Sequence, residues 1–226
     1  MAEARAIRAV LFDLDGTFAD TAPDLAYALN ETLRRFGCSP LPFATIRPHV
    51  SHGATALVRL GFGLEPDTEP FEVRRQVLLD VYAANLCRDT RPFDGIPALL
   101  DSLETNGLRW GIVTNKPAWL TEPLMLAMGL AARAGCIVSG DTTPNRKPHP
   151  EPILHACARL AIDPADCVYV GDAERDIEAG RRAGTATLAA TFGYLQNHED
   201  PSQWGADALV DDPLDLLAWL GLPRHG

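Results

Sequence analysis

Three short apolar runs end abruptly in side chains that carry chemistry. Ile7 to Phe12 reads IRAVLF and stops at Asp13-Leu14-Asp15-Gly16-Thr17. Leu108 to Val113 stops at Thr114-Asn115, and Cys167 to Val170 stops at Gly171-Asp172. A fourth group, Lys147, stands in a Pro-rich loop before an apparent helix. Asp13, Asp15 and Asp172 are hard oxygen donors, the kind that suits Mg2+ together with a phosphate. Two carboxylates two residues apart can also divide the work. One attacks phosphorus as a nucleophile. The other protonates the leaving oxygen and then takes a proton from water. Thr114 supplies a hydroxyl and Lys147 a fixed positive charge for the phosphoryl oxygens, and phosphoryl transfer depends mainly on such positioning and neutralisation.

These groups are far apart in the chain, so the fold must gather them. Apolar runs at Ile7–Phe12, Leu108–Val113, Cys136–Ser139, Cys167–Val170, Thr185–Ala190 and Ala208–Val210 read as strands. Helical patterns alternate with them at 95–105, 119–130, 150–160, 176–182 and 213–220. That rhythm predicts an α/β fold, a parallel sheet with helices on both faces. Strand carboxyl ends then share one edge, where open α/β sheets build sites. Between the first two strands lies a different pattern. Thr21 reads as a helix N-cap with Asp24 as its acidic first-turn partner, and Leu25, Ala28, Leu29, Leu33 and Phe36 fall on one face. Further helices are expected at 54–60 and 69–86, with no strand between them, which predicts a separate helical lobe over 20–88. Glu72, Arg74, Arg75 and Asp80 read as a solvated helix face, and Trp110 and Trp119 as packing residues.

Composition narrows the partners. The 226 residues are 46% hydrophobic, enough for a buried core, and the formal net charge is -10. An acidic chain lacks the basic footprint needed for nucleic acid, while a small anion remains compatible because local cations dominate a site's field. No run approaches a membrane span of about 20 apolar residues. Met1 to Arg8 is too short and too charged for a signal peptide. Five cysteines, an odd number without a CxxC pair, fit reduced and mostly buried thiols and a cytoplasmic location.

With those residues in view, the chain resembles the haloacid dehalogenase superfamily of phosphatases over nearly its whole length. The quoted motifs are Asp13-Leu14-Asp15-Gly16-Thr17, GIVTNKP with Thr114, RKPHPEP with Lys147, and Gly171-Asp172-Ala173-Glu174-Arg175-Asp176. The resemblance implies a Rossmann-like core, 1–19 and 89–226, with an inserted α-helical cap, 20–88. It implies Mg2+ as cofactor, held by Asp13, Asp172 and the backbone carbonyl of Asp15, with Asp176 in support. Asp13 would be the nucleophile and Asp15 the general acid/base. Thr114, Asn115 and Lys147 would bind the phosphoryl group. The carboxylate at Asp15 separates the chain from the dehalogenase branch.

Within the superfamily, IRPHVSHGATALV (46–58), WGIVTNKP, FGYLQN (192–197) and WGADALVDDPLDL (204–216) are similar to the N-acetylmuramic acid 6-phosphate phosphatases. Phosphoglycolate phosphatase is the alternative, followed by a sugar phosphomutase and a non-catalytic binding protein. Both leading substrates are small phosphate esters that carry a carboxylate. Arg47, in what reads as a cap loop, is the expected carboxylate partner, because a guanidinium binds such a group bidentately. His52 and Gly53 complete the expected specificity segment.

Overall fold

The computed structural model describes residues 7–223. Most of the charged segment Met1 to Arg8, and the last three residues of the expected core, lie outside the described residues. In chain order the elements begin with β1 (Ala9–Phe12), β2 (Ala19–Asp20), α1 (Ala22–Arg35), α2 (Phe43–Ile46), a 3-10 helix (Arg47–His52), α3 (Gly53–Phe62) and α4 (Glu69–Ala84). They continue with β3 (Arg91–Pro92), α5 (Ile96–Thr105), β4 (Arg109–Val113), α6 (Ala118–Ala127), β5 (Cys136–Val138) and α7 (Glu151–Leu160). The chain closes with β6 (Cys167–Gly171), α8 (Glu174–Ala183), β7 (Ala186–Ala190), β8 (Ala208–Val210) and α9 (Asp215–Trp219).

Six strands form one parallel sheet in the order β5-β4-β1-β6-β7-β8. β1 lies between β4 and β6, and its four residues are all buried. The run is continuously apolar because both sheet faces are covered. Val10 and Phe12 pack with Leu99 of α5, Leu124 of α6 and Leu216 of α9. Ala9 and Leu11 face the other way, onto Ile153 and Ala156 of α7 and Ala179 of α8. Each large side chain so buried contributes roughly 1.5–3 kcal/mol. The pairing of β1 with β4 and β6 brings the ends of all three strands, and hence Asp13, Thr114 and Asp172, to one edge.

The helices α1 to α4 pack around Leu25, Leu29, Leu33, Leu57, Val58, Phe71, Leu78 and Tyr82. Leu120 and Tyr194, from outside the lobe, join that cluster. Leu25, Ala28, Leu29 and Leu33 are buried as their spacing predicts. Phe36, at the end of that stripe, is only half-buried and meets Phe62 edge-on at 5.8 Å between ring centroids.

Several local expectations are corrected. Thr21 precedes α1 but makes no side-chain cap; its hydroxyl donates to Asp15 instead, at 2.6 Å. Asp24 is the acid in the first turn of α1, as expected, and it does more than that. It is buried, and it accepts from the Asp89 and Thr90 backbone N–H groups at 2.9 and 3.0 Å and from the Thr90 hydroxyl at 2.7 Å. Two short strands escaped the sequence reading. β2 and β3 pair antiparallel, Ala19 with Pro92 and Asp20 with Arg91, where the chain enters and leaves the helical lobe. Two-residue strands carry no periodicity to read. Arg47 to His52 is not a loop but a 3-10 helix. No helix among the described residues is long and apolar enough to cross a membrane.

Candidate active site

Asp13 follows β1 and is buried, as are Asp172 after β6 and Asp176 in the first turn of α8. Carboxylate oxygens from these three lie within 4.8 Å of one another. Such crowding of like charges favours protonation. Burial, then the charges of Asp13 and Asp176, push Asp172 up to about 7. Burial also raises Asp176, against the pull of Lys147. Lys147 is the internal counter-charge. Its Nζ lies 2.8 Å from Asp13 Oδ1 and 2.7 Å from Asp176 Oδ1, and it donates to the Tyr169 hydroxyl at 2.7 Å. Tyr169 in turn donates to the Val113 carbonyl at 2.7 Å.

Two glycines of the motifs are explained by close approach. Gly16 adopts φ +89°, and a Cβ there would fall 2.0 Å from Asp172 Oδ2. A Cβ on Gly171 would fall 2.3 Å from the Asp176 Cβ. Asp176 also accepts from the Ala173 N–H at 3.1 Å, so it closes the N-terminus of α8 as well as facing Lys147.

The side chain of Asp15 stands outside this cluster. Its Oδ1 accepts from Thr21 at 2.6 Å and pairs with Lys116 Nζ at 2.8 Å. The Lys116 side chain is largely buried, and its ammonium lies 4.5 Å from the ring centroid of Tyr82 in α4. Burial alone would favour the neutral amine, but Asp15 and Tyr82 outweigh it and hold Lys116 above the usual lysine range. The same burial raises the Tyr82 phenol to about 12. Lys116 lies inside the GIVTNKP motif yet was not singled out from the sequence, because a lysine after Asn reads as a solvated loop residue. Tyr169 was missed because a tyrosine inside a buried strand reads as packing.

Thr114 is buried at the sheet edge, where its Oγ1 accepts from the Lys116 N–H at 3.2 Å. Asn115 stands beside it at the cavity and also braces the Lys147 loop. Its side-chain amide donates to the Lys147 carbonyl and accepts from the Lys147 N–H, each at 3.0 Å. This clamp holds the Lys147 loop against the end of β4.

The helical lobe touches this edge through a few polar contacts. Ser51 Oγ donates to Asp172 Oδ2 at 2.6 Å and lies 3.3 Å from the Asp15 carbonyl. Arg175, from the GDxxxD motif, donates to the Ser51 carbonyl at 2.7 Å. Tyr194 contributes its N–H to Asp172 Oδ2 at 2.9 Å and its hydroxyl to Asp20 at 2.6 Å.

A cavity of about 560 Å3 opens between lobe and sheet edge. Asp13, Asp15, Thr114, Asn115 and Lys116 line its floor, and His52 and Gly53 reach it from the lobe. Arg47 is not among the lining residues, which corrects its expected place at the substrate. Its guanidinium lies 4.7 Å from the Tyr194 ring centroid and 3.9 Å from Asp20, and it donates to the Gly193 carbonyl at 3.2 Å. The 3-10 turn directs it outward to the hinge. His52 faces Glu199 at 3.4 Å; burial, then the Arg175 charge, lowers its pKa. Trp110 is buried as expected, with its indole N–H on Glu104 at 2.8 Å. Trp119 is instead 48% exposed and lines the cavity. Arg75 also lines the cavity, so its helix face is only partly solvated.

A doubly covered parallel sheet with acidic strand ends, a buried lysine and a helical insertion defines a known class of hydrolase. The sequence profile described as "Haloacid dehalogenase-like hydrolase" matches residues 10–190, and the chain belongs to that family. An N-acetylmuramic acid 6-phosphate phosphatase of Pseudomonas aeruginosa is 45% identical over 212 residues, 93% of this chain and 93% of that protein. A phosphoglycolate phosphatase of Xylella fastidiosa is 41% identical over 206 residues, covering 91% of this chain and 90% of the relative. The crystal structure of a predicted phosphoglycolate phosphatase from Haemophilus somnus superposes with a TM-score of 0.84 at 28% identity, over 94% of this chain and 97% of that one. The protein is a phosphatase of the haloacid dehalogenase-like family. Members of the family generally use a divalent metal, and the buried aspartate cluster supplies hard oxygen donors for one.

Proposed function

We propose that the protein is a Mg2+-dependent phosphomonoesterase working through an aspartyl-phosphate on Asp13, with N-acetylmuramic acid 6-phosphate as its natural substrate. The observation that carries the substrate is the cavity, about 560 Å3. That lies within the range of roughly 300–1,000 Å3 that encloses ligands of drug size. An amino sugar phosphate with its lactyl ether fills such a space, whereas phosphoglycolate is a two-carbon acid. The 45% identity to an N-acetylmuramic acid 6-phosphate phosphatase supports the same choice.

The carboxylates of Asp13, Asp172 and Asp176, with the Asp15 carbonyl nearby, fit Mg2+ by donor type and by their mutual repulsion. When bound, the cation would neutralise phosphoryl oxygens and the cluster's own charge. The protein's side chains do the rest. Lys147 holds Asp13 through Oδ1, which presents Oδ2 to phosphorus. Attack breaks the phosphorus–oxygen bond to the sugar and leaves the phosphoryl group on Asp13. Asp15 is likewise pinned through Oδ1, by Thr21 and Lys116. It gives a proton to the departing sugar oxygen and then takes one from the water that hydrolyses the acyl phosphate. Thr114 and Lys147 bind the phosphoryl oxygens, and the helical lobe serves as the cap that limits water.

A phosphate-release panel at fixed Mg2+ tests the reading. N-acetylmuramic acid 6-phosphate is expected to exceed 2-phosphoglycolate in kcat/KM by about tenfold or more, a difference of roughly 1.4 kcal/mol or more. Asp13→Asn is expected to reduce turnover by about 10^3-fold or more. Equal, weak rates on every ester, or an Asp13→Asn variant with full activity, would falsify it.

A further inference from the structure

One face of α4 looks into the cavity. Arg75, Gln76, Leu79 and Tyr82 line it, with the spacing of a single helical stripe. The stripe has a polar end fixed by contact, since Tyr82 stacks on Lys116, which pairs with the general acid Asp15. Arg75 lies seven residues back, about 10 Å along the helix axis at 1.5 Å per residue. Between them Leu79 presents an apolar surface, and the exposed indole of Trp119 lines the same cavity from α6. The cavity is therefore graded: phosphoryl chemistry on its floor, apolar walls, and a guanidinium displaced along the cap helix.

We propose that Arg75 is a specificity-determining residue that binds a substrate carboxylate held apart from the phosphate by a sugar ring. The proposal rests on the substrate reading above and refines it. In N-acetylmuramic acid 6-phosphate the phosphate is on C6 and the lactyl carboxylate hangs from C3, across the pyranose. In phosphoglycolate a single methylene separates the two anions, so a cation displaced along α4 cannot serve both ends at once. The other cavity guanidiniums are less suited. Arg175 is committed to the Ser51 carbonyl at 2.7 Å, and Arg146 is tied by Nε to the Gly140 carbonyl at 2.6 Å beside Lys147. Among the described residues, Arg75 is held from its own helix. Its guanidinium pairs with Glu72 at 2.9 Å, one turn away, and Glu72 is half in solvent. An exposed helical pair of this kind contributes little and is readily exchanged or shared. A planar guanidinium can keep Glu72 on one edge while offering N–H groups to a carboxylate on another.

The test compares N-acetylmuramic acid 6-phosphate with N-acetylglucosamine 6-phosphate, the same sugar without the lactyl carboxylate, in wild type and in Arg75→Gln and Arg75→Lys. For Arg75→Gln, KM on the muramic ester should rise about 10- to 100-fold, the size of one charge-assisted contact, with kcat nearly unchanged. KM on the glucosamine ester should stay within about twofold of wild type, since no carboxylate is lost there. Arg75→Lys should fall between, because it keeps charge without the planar fork. An equal KM rise on both esters, or none on either, overturns the assignment of Arg75 and leaves the substrate reading intact. A wild-type enzyme that does not prefer the muramic ester overturns the substrate reading itself. Each variant's thermal midpoint, matched to wild type, shows that the comparison concerns binding.

Discussion

The sheet edge and the helical lobe meet across one cavity but are built differently. At the sheet edge, the candidate catalytic Asp13, Asp15 and Lys147 are fixed by buried or largely buried side chains, most of them from distant parts of the chain. Lys147 answers to Asp13, Asp176 and Tyr169, and its backbone is clamped by Asn115. Asp15 answers to Thr21 and Lys116. The α4 face of the helical lobe, by contrast, offers Arg75, held by Glu72 of its own helix. Reaction chemistry requires pre-set geometry, so it sits where low mobility is enforced. Choice of substrate tolerates looser parts.

By that contrast, the largest effect should follow from removing the edge's own cation. Lys147→Met leaves Asp13 and Asp176 buried without their partner, and breaking such a pair typically costs about 3–5 kcal/mol. Urea denaturation with a chelator present should show a loss of that order, and phosphate release should fall by about 10^3-fold or more. Added Mg2+ should recover part of the stability, since it replaces the lost positive charge, but not the turnover.

A smaller effect should appear as a pH dependence. Asp172 is pushed up to about 7 in the folded protein, above the ordinary carboxylate range near 3.9. The protonated form is therefore favoured by folding. Its contribution to stability is present in full below the unfolded pKa and is lost as pH rises through about 7. The metal-free protein should lose roughly 2–3 kcal/mol through this group between pH 5 and pH 8. Asp172→Asn should flatten that slope, measured by denaturant titration at the two pH values. A slope unchanged in the variant would place the repulsion elsewhere in the cluster.

The same contrast explains what could be read beforehand. The strands and their terminal groups were legible because a buried parallel sheet needs continuous apolar runs, and because Asp13, Thr114 and Asp172 interrupt those runs at their ends. Lys116, Tyr169 and Arg175 were not legible, since their roles come from partners brought near only by folding. Arg47 misled for the same reason. Its residue type suits a carboxylate, but the 3-10 turn aims it at Asp20 and Tyr194. The hinge strands β2 and β3 were too short to show a period.

The smallest effect concerns the join between the two regions. Asp24→Ala removes the acceptor of two backbone N–H groups and one hydroxyl, at a cost of about 1–3 kcal/mol. Turnover should change by less than about threefold, because no group at the sheet edge is lost. Limited trypsin digestion should reveal the difference, with faster cleavage at Arg88 or Arg91 in the variant.

That join has an engineering consequence. Because Ala19 pairs with Pro92 and Asp20 with Arg91, the cap's two linkers lie side by side, at the spacing of neighbouring strands, about 4.5–5.5 Å between paired Cα atoms. The catalytic sheet therefore presents a ready-made socket. Helical insertions of other lengths can leave at Asp20 and return at Arg91 without stretching the chain on either side.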